Sequence, residues 1–152
     1  MSGTPLVAVT DVSDVDEARA LFREYAASLP FALDFQGFER ELAEFPGDYA
    51  PPRGALLLAR GAGCVGLRPL DATTCELKRL YVRPPARGTG LGRRLAEAII
   101  AEGRRLGYQR MRLDTVPGMS AALSLYAELG FREIPPYRTN PIPGAVFLEL
   151  EL

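Results

Sequence analysis

Apolar residues change their spacing several times along the 152-residue chain, and each change marks an element. Positions 6–9 read as a short strand. Val15, Ala18, Leu21, Phe22, Tyr25 and Leu29 then recur every three or four residues, the period of one helix face. Ser13 with Asp16 resembles a capping box at the start of that helix, and Pro30 stops it. Phe35, Phe38, Leu42 and Phe45 predict a second helix, ended by Pro46-Gly47, with a loop over 48–54. Strands at 55–60 and 64–70 flank Gly61-Ala62-Gly63, a hairpin signal. After a polar turn, a long strand covers 75–82 and stops at Pro84-Pro85. A strongly amphipathic helix follows over 91–106, with Gly107 as its C′ residue. The tail reads as a strand at 110–115, a short helix at 120–129 capped by Ser120 and closed by Gly130, and a strand at 131–134. A Pro-rich loop (135–144) and a last strand at 145–152 complete it. The order β-α-α-β-β-β-α-β-α-β-β argues a single α/β domain, residues 1–152, with a mixed sheet.

Between the 75–82 strand and the 91–106 helix lies Arg87-Gly88-Thr89-Gly90-Leu91-Gly92. Its three glycines let the backbone approach a ligand closely and adopt positive φ. The helix start behind them leaves N–H groups without intrahelical partners, at the positive end of the helix dipole. Such a segment suits a phosphate or pyrophosphate. The other reading is a solvated helix end behind a glycine turn. The strand before and the helix after weaken it.

Charge sharpens the picture. The chain is near neutral (formal net charge −1), yet residues 77–94 carry Lys78, Arg79, Arg83, Arg87, Arg93 and Arg94 and no acidic residue. A local basic stretch in a near-neutral chain points to a small polyanion and away from nucleic acid, which takes a broad basic surface. No apolar run reaches the ~18 residues of a membrane span, and the N-terminus lacks the marks of a signal peptide. Cys64 and Cys75 sit in strand-like runs without metal-type spacing and read as reduced core thiols of a cytoplasmic protein. The chain has no histidine, so imidazole-based triads and metal sites are excluded. Acid–base work falls to carboxylates, tyrosines, a cysteine or Lys78, the single lysine.

Three segments resemble the GNAT family of N-acetyltransferases and span 76–134, over a third of the chain. Arg87 to Gly92 match the family's cofactor loop, Gln/Arg-x-x-Gly-x-Gly/Ala. Leu80-Tyr81-Val82-Arg83-Pro84 match the strand before it. Ala122, Tyr126, Gly130 and Phe131 match a downstream helix-to-strand motif. The resemblance implies a mixed sheet whose central strands splay beyond Leu80–Val82. It implies acetyl-CoA as donor and direct transfer, in a ternary complex, to the primary amine of a small molecule. Acetylation of a protein N-terminus or lysine is an alternative, and a non-catalytic CoA-binding module is another. By the same carry-over, Leu80, Tyr81 and Val82 contact pantetheine. Arg87, Gly88, Thr89, Gly90, Leu91, Gly92 and Arg93 hold the pyrophosphate. Ser120 stands where relatives often have an Asn facing the cofactor arm. A Rossmann domain fails on spacing, since the glycines run G-x-G-x-G.

The family position of the general acid falls on Tyr126, a phenol near pKa ~10 and so a competent donor to a thiolate. Its other reading is a half-buried packing aromatic. Glu76 occupies the position where several relatives carry a catalytic base. Alternatively it is a strand-end carboxylate paired with Lys78 or an arginine. The acceptor is expected between the first two helices and the Pro-rich loop, near Phe31, Asp34, Phe35, Tyr137 and Asn140, although the aromatics also suit plain core. No metal, nucleic acid or membrane partner is expected. Residues 146–152 suit either an internal strand or pairing across a two-fold axis, so monomer and homodimer both stand.

Overall fold

In a computed structural model, which describes residues 4–29, 37–115 and 120–152, the strand-like runs pair into one mixed sheet. Its strands are β1 (Leu6–Ala8), β2 (Ala55–Ala59), β3 (Gly63–Pro69), β4 (Thr74–Val82), β5 (Arg110–Thr115), β6 (Arg132–Ile134) and β7 (Val146–Glu151). They lie in the order β1-β2-β3-β4-β5-β7-β6. Every pairing is antiparallel except β4 with β5. The helices are α1 (Val12–Ser28), α2 (Phe38–Ala43), α3 (Leu91–Arg105) and α4 (Ser120–Glu128). Alternation along the strands divides the apolar residues between two cores. Leu95 and Ile99 of α3 pack with Val65, Leu67, Leu77 and Met111 on one face. Leu21 and Phe22 of α1 pack with Leu42, Leu58 and Cys64 on the other. Among the described residues no helix is long and apolar enough to cross a membrane.

Two irregularities of β4 shape the molecule. The β3–β4 register shifts between Cys64 and Gly66, so β4 carries a bulge, and Arg79 within it has φ 60°. A non-glycine residue there is strained by about 1–3 kcal/mol, and its surroundings must hold it. They do so through Glu41 of α2, whose carboxylate accepts from Arg79 Nε at 3.1 Å and Nη2 at 2.9 Å. The second irregularity lies on the other edge of β4. Its parallel pairing with β5 runs only from Thr74↔Arg110 to Glu76↔Arg112. Beyond Glu76 no further rung is formed, so the central strands do splay, but they part ahead of Leu80–Val82 and not beyond them, and those three residues lie along the gap.

Several expectations shift. α1 begins one residue before Ser13, and its cap is Asp11, whose carboxylate accepts from the Asp14 N–H at 2.8 Å. Asp caps at least as well as Ser, and Asp14 is then free to pair with Arg60 at 2.9 Å. α2 stops at Ala43, so Phe45 packs in the core from outside the helix. The expected loop at 48–54 opens instead with a 3₁₀ turn, Gly47–Tyr49, that drops the Tyr49 ring over Gly66. A Cβ on Gly66 would lie 2.6 Å from that ring, so only glycine fits there. The last strand is internal: β7 lies between β5 and β6, and its pairing groups are used within the chain.

Candidate functional site

The splay opens toward both faces of the sheet. It forms a groove of about 300 Å³ between α4 and α1, lined by Leu80, Tyr81 and Val82 of β4, Arg87 and Gly92 of the loop, Ala122 of α4, and Tyr25 and Ser28 of α1. The small residues Ala121, Ala122 and Gly92 keep this wall low enough for an extended chain to lie against β4. At its outer end Gly88 and Gly90 turn the backbone with φ 79° and 84°. A Cβ at either would meet no atom within 4 Å, so the space above the loop is open. Gly90 is the N-cap of α3, which lacks a side-chain cap, and the first-turn N–H groups have no carbonyl a turn earlier. Arg87 Nε donates to the Val82 carbonyl at 3.0 Å and Thr89 Oγ1 to the Ala86 carbonyl at 2.6 Å, fixing the loop on the end of β4.

Three expected cofactor residues act differently from their neighbours. The Leu91 side chain is buried in the α3 core, which leaves its backbone alone to face a ligand. Tyr81 points its ring into the α1-side core and donates its hydroxyl to Glu24 at 3.3 Å. The Arg93 side chain is 42 % exposed and pairs with Glu97 at 3.9 Å and with Glu128, so those carboxylates compete with a phosphate for it. The Ser120 side chain lies outside the described residues.

Tyr126 sits on α4, 6 % exposed, with its ring edge-on to Phe131 at 5.5 Å. Burial pushes its phenol above 10, and the nearby Tyr25 adds to the shift. The hydroxyl is therefore protonated at neutral pH, the state a proton donor needs. Cys75 is buried, its thiol pushed up to about 12 by burial, which leaves it an inert core residue.

The strand face beside the groove is polar. Alternation places Glu76 and Lys78 of β4, Arg112 and Asp114 of β5, and Arg68 of β3 on that face. Glu76 is 0 % exposed. Its Oε1 accepts from Arg68 Nε at 2.9 Å, and its Oε2 accepts from the Tyr137 hydroxyl at 2.6 Å and from Arg138. Burial alone would raise its pKa. The charges of Lys78, Arg68 and Arg138, with the Tyr137 hydrogen bond, outweigh it and bring the carboxyl to about 2. A carboxylate held that firmly in its ionised form is an anchor for its donors and a poor proton acceptor near neutral pH. This argues against the base role expected for Glu76 and for the paired-carboxylate alternative.

Tyr137 and Asn140 belong to the Pro-rich loop, and both face inward. Tyr137 packs edge-on to Phe147 at 5.3 Å while bonding Glu76. Asn140 donates to Asp114 Oδ2 at 3.1 Å, and its own carbonyl accepts from the Ile142 N–H at 3.0 Å. The loop is thus fastened onto the strand face at both sides of the splay. Phe31, Asp34 and Phe35 lie outside the described residues.

The sequence reading missed Arg68, Asp114 and Arg138. One signal could have found Asp114: charged residues recurring with period two inside strands otherwise built of core residues, as in Glu76-Leu77-Lys78 and Arg112-Leu113-Asp114. In a central strand such a pattern means a polar face that is covered.

The pattern of the Acetyltransferase (GNAT) family matches residues 18–131. An uncharacterized N-acetyltransferase of Schizosaccharomyces pombe is 40 % identical, over 99 % of this chain and 96 % of its own length. An acetyltransferase from Streptococcus agalactiae shares the fold with a TM-score of 0.76 at 19 % identity, over 97 % of this chain and 98 % of that one. The structure of yncA from Salmonella typhimurium, with its cofactor acetyl-CoA, superposes with a TM-score of 0.68 at 19 % identity, over 99 % and 94 % of the two chains.

Proposed function

Because the chain belongs to the GNAT family of acetyl-CoA-dependent acetyltransferases, we propose that it acetylates the primary amine of a small molecule, with both substrates held at once. One observation carries this reading. An open groove lies along β4 where it parts from β5, a polar cluster lies on the strand face beside it, and the Pro-rich loop is fastened over that cluster by Tyr137, Arg138 and Asn140. A donor enters from one side and an acceptor from the other, and the fastened loop leaves room for a compact acceptor in place of an extended peptide.

In this reading Leu80, Tyr81 and Val82 offer backbone groups to the pantetheine arm. The loop from Arg87 to Gly92 takes the pyrophosphate on its N–H groups, with Arg93 joining when it leaves Glu128, and Ser120 stands at the start of the facing helix. Backbone N–H groups of the splayed strand polarise the thioester carbonyl in this reading, as in other oxyanion sites. Tyr126 protonates the departing sulfur. Glu76 positions Arg68, Tyr137 and Arg138 and so shapes the acceptor side. Orientation of two bound reactants supplies several kcal/mol of barrier lowering in this reading, within the ~7–11 kcal/mol open to ideal positioning.

The test is a thermal-shift titration with acetyl-CoA, CoA and NAD, followed by an amine screen that reads free thiol. Stabilisation by both CoA species and not by NAD, then turnover with small amines, is expected. Turnover with peptides and with no small amine would replace the acceptor assignment.

A further inference from the structure

The chain carries eighteen Lys and Arg residues, and Lys78 is its only lysine. A chain that otherwise chooses arginine breaks that choice at one place, in the middle of β4. The two residues differ in one respect that matters in a buried site: a lysine gives up its proton when desolvated, and an arginine does not.

Lys78 stands two residues past Glu76, where the last β4–β5 rung is made, and therefore at the mouth of the splay on the acceptor face. It is 4 % exposed. Its Nζ lies 4.0 Å from Asp114 Oδ1 across the opening. Asp114 is itself buried and is held by Asn140 through its other oxygen. The neighbouring carboxylate, Glu76, is committed to Arg68, Tyr137 and Arg138. The donor groove lined by Leu80 to Val82 begins two residues further along the same strand.

Resting on the acetyl-transfer reading above, we propose that Lys78 is the general base of the reaction. As the acceptor nitrogen bonds the acetyl carbon, its proton passes to the neutral Lys78 amine. As the carbon–sulfur bond breaks, Tyr126 protonates the sulfur. One proton arrives at Lys78 and one leaves Tyr126, and exchange with solvent resets both. An acceptor that enters as an ammonium ion first loses one further proton to solvent.

Asp114 stabilises the lysinium as it forms, and Asn140 keeps Asp114 in place. The charged surroundings are consistent with this task. Burial lowers the Lys78 pKa most; Glu76 on its own strand and Asp114 on β5 oppose the shift; Arg79 on β4 and Arg68 on β3 add to it, bringing the amine to about 7. Glu41 of α2 acts on it through Arg79, Tyr25 of α1 lies by Arg79 and Asp114, and Arg138 of the loop acts through Glu76.

Because the chain has one lysine, lysine labelled with ¹³C at Cε gives one side-chain resonance, and its titration reads Lys78 directly. The expected midpoint is near 7, against an ordinary ~10.4. The kcat/KM for an amine found in the screen should rise through that midpoint. Lys78→Met and Lys78→Arg should each bind acetyl-CoA within about threefold of wild type, lower kcat about a hundredfold or more, and lose the limb near neutral pH. A lysine that titrates near its ordinary value overturns the proposal. So does a Lys78→Met enzyme that keeps kcat within about threefold or keeps the limb. A wild-type protein that binds no CoA species would overturn the acetyl-transfer reading, which the lysine titration does not depend on.

Discussion

Replacing Glu76 with Gln separates an anchor from a base, because an anchor's loss is read in stability as a function of pH. The carboxyl falls from an ordinary 4.5 to about 2 in the folded protein. Each step of one in pKa is worth ~1.36 kcal/mol, so the ionised form contributes about 3 kcal/mol to folding. The folded pKa is the lower one. This contribution is therefore complete above pH ~4.5, falls as the pH drops, and is gone below about 2. Gln cannot ionise and lacks that dependence. At pH 7 Glu76→Gln leaves Arg68 and Arg138 against an uncharged amide. Losing one partner of a buried ion pair costs ~3–5 kcal/mol, and the lower end applies because the two arginine side chains keep 20 % and 21 % exposure. Urea unfolding at pH 7, 4.5 and 3 measures both quantities. Wild type should be the more stable protein at pH 7, and the gap should shrink by pH 3. The same substitution removes a negative charge beside Lys78, so the single lysine resonance should titrate lower than in wild type. Parallel loss of stability in the two proteins between pH 4.5 and 3 would refute the anchor argument.

Three further substitutions test other parts of the site. Gly90→Val places a β-branched residue at φ 84° in the open space of the loop; loss of the thermal shift with acetyl-CoA is expected, and retained micromolar affinity would contradict the phosphate assignment. Tyr126→Phe keeps the contact with Phe131 and removes the proton donor, so kcat should fall with the acetyl-CoA KM within about twofold; an equal loss of affinity would indicate packing. Gly66→Ala pushes a methyl group into the Tyr49 ring at 2.6 Å and should destabilise the fold by about 1–3 kcal/mol in denaturant unfolding, while unchanged stability would show that the Gly47–Tyr49 turn yields.

The sequence by itself determined the elements and the glycine loop between β4 and α3. Hydrophobic spacing gave β5 its bounds to the residue, and β2, β3, β4, β7 and α3 to within one or two, because a sheet or helix face must be apolar where it meets a core. The glycine loop was legible because a positive φ with open space above it leaves few residue choices, and because loop, strand and helix adjoin in the chain. The polar face proposed for the acceptor was decided by tertiary structure. Arg68, Asp114 and Arg138 lie far in sequence from Glu76 and Lys78, and each of the three by itself reads as an ordinary charged residue. Their meaning depends on which strands are neighbours, where the β4–β5 pairing stops, and which loop covers the face. Those facts surround the Glu76 carboxylate with Arg68, Tyr137 and Arg138 and bury the lone lysine beside Asp114. Burial and the placing of fixed charges set a side chain's chemistry, and neither is written in local sequence.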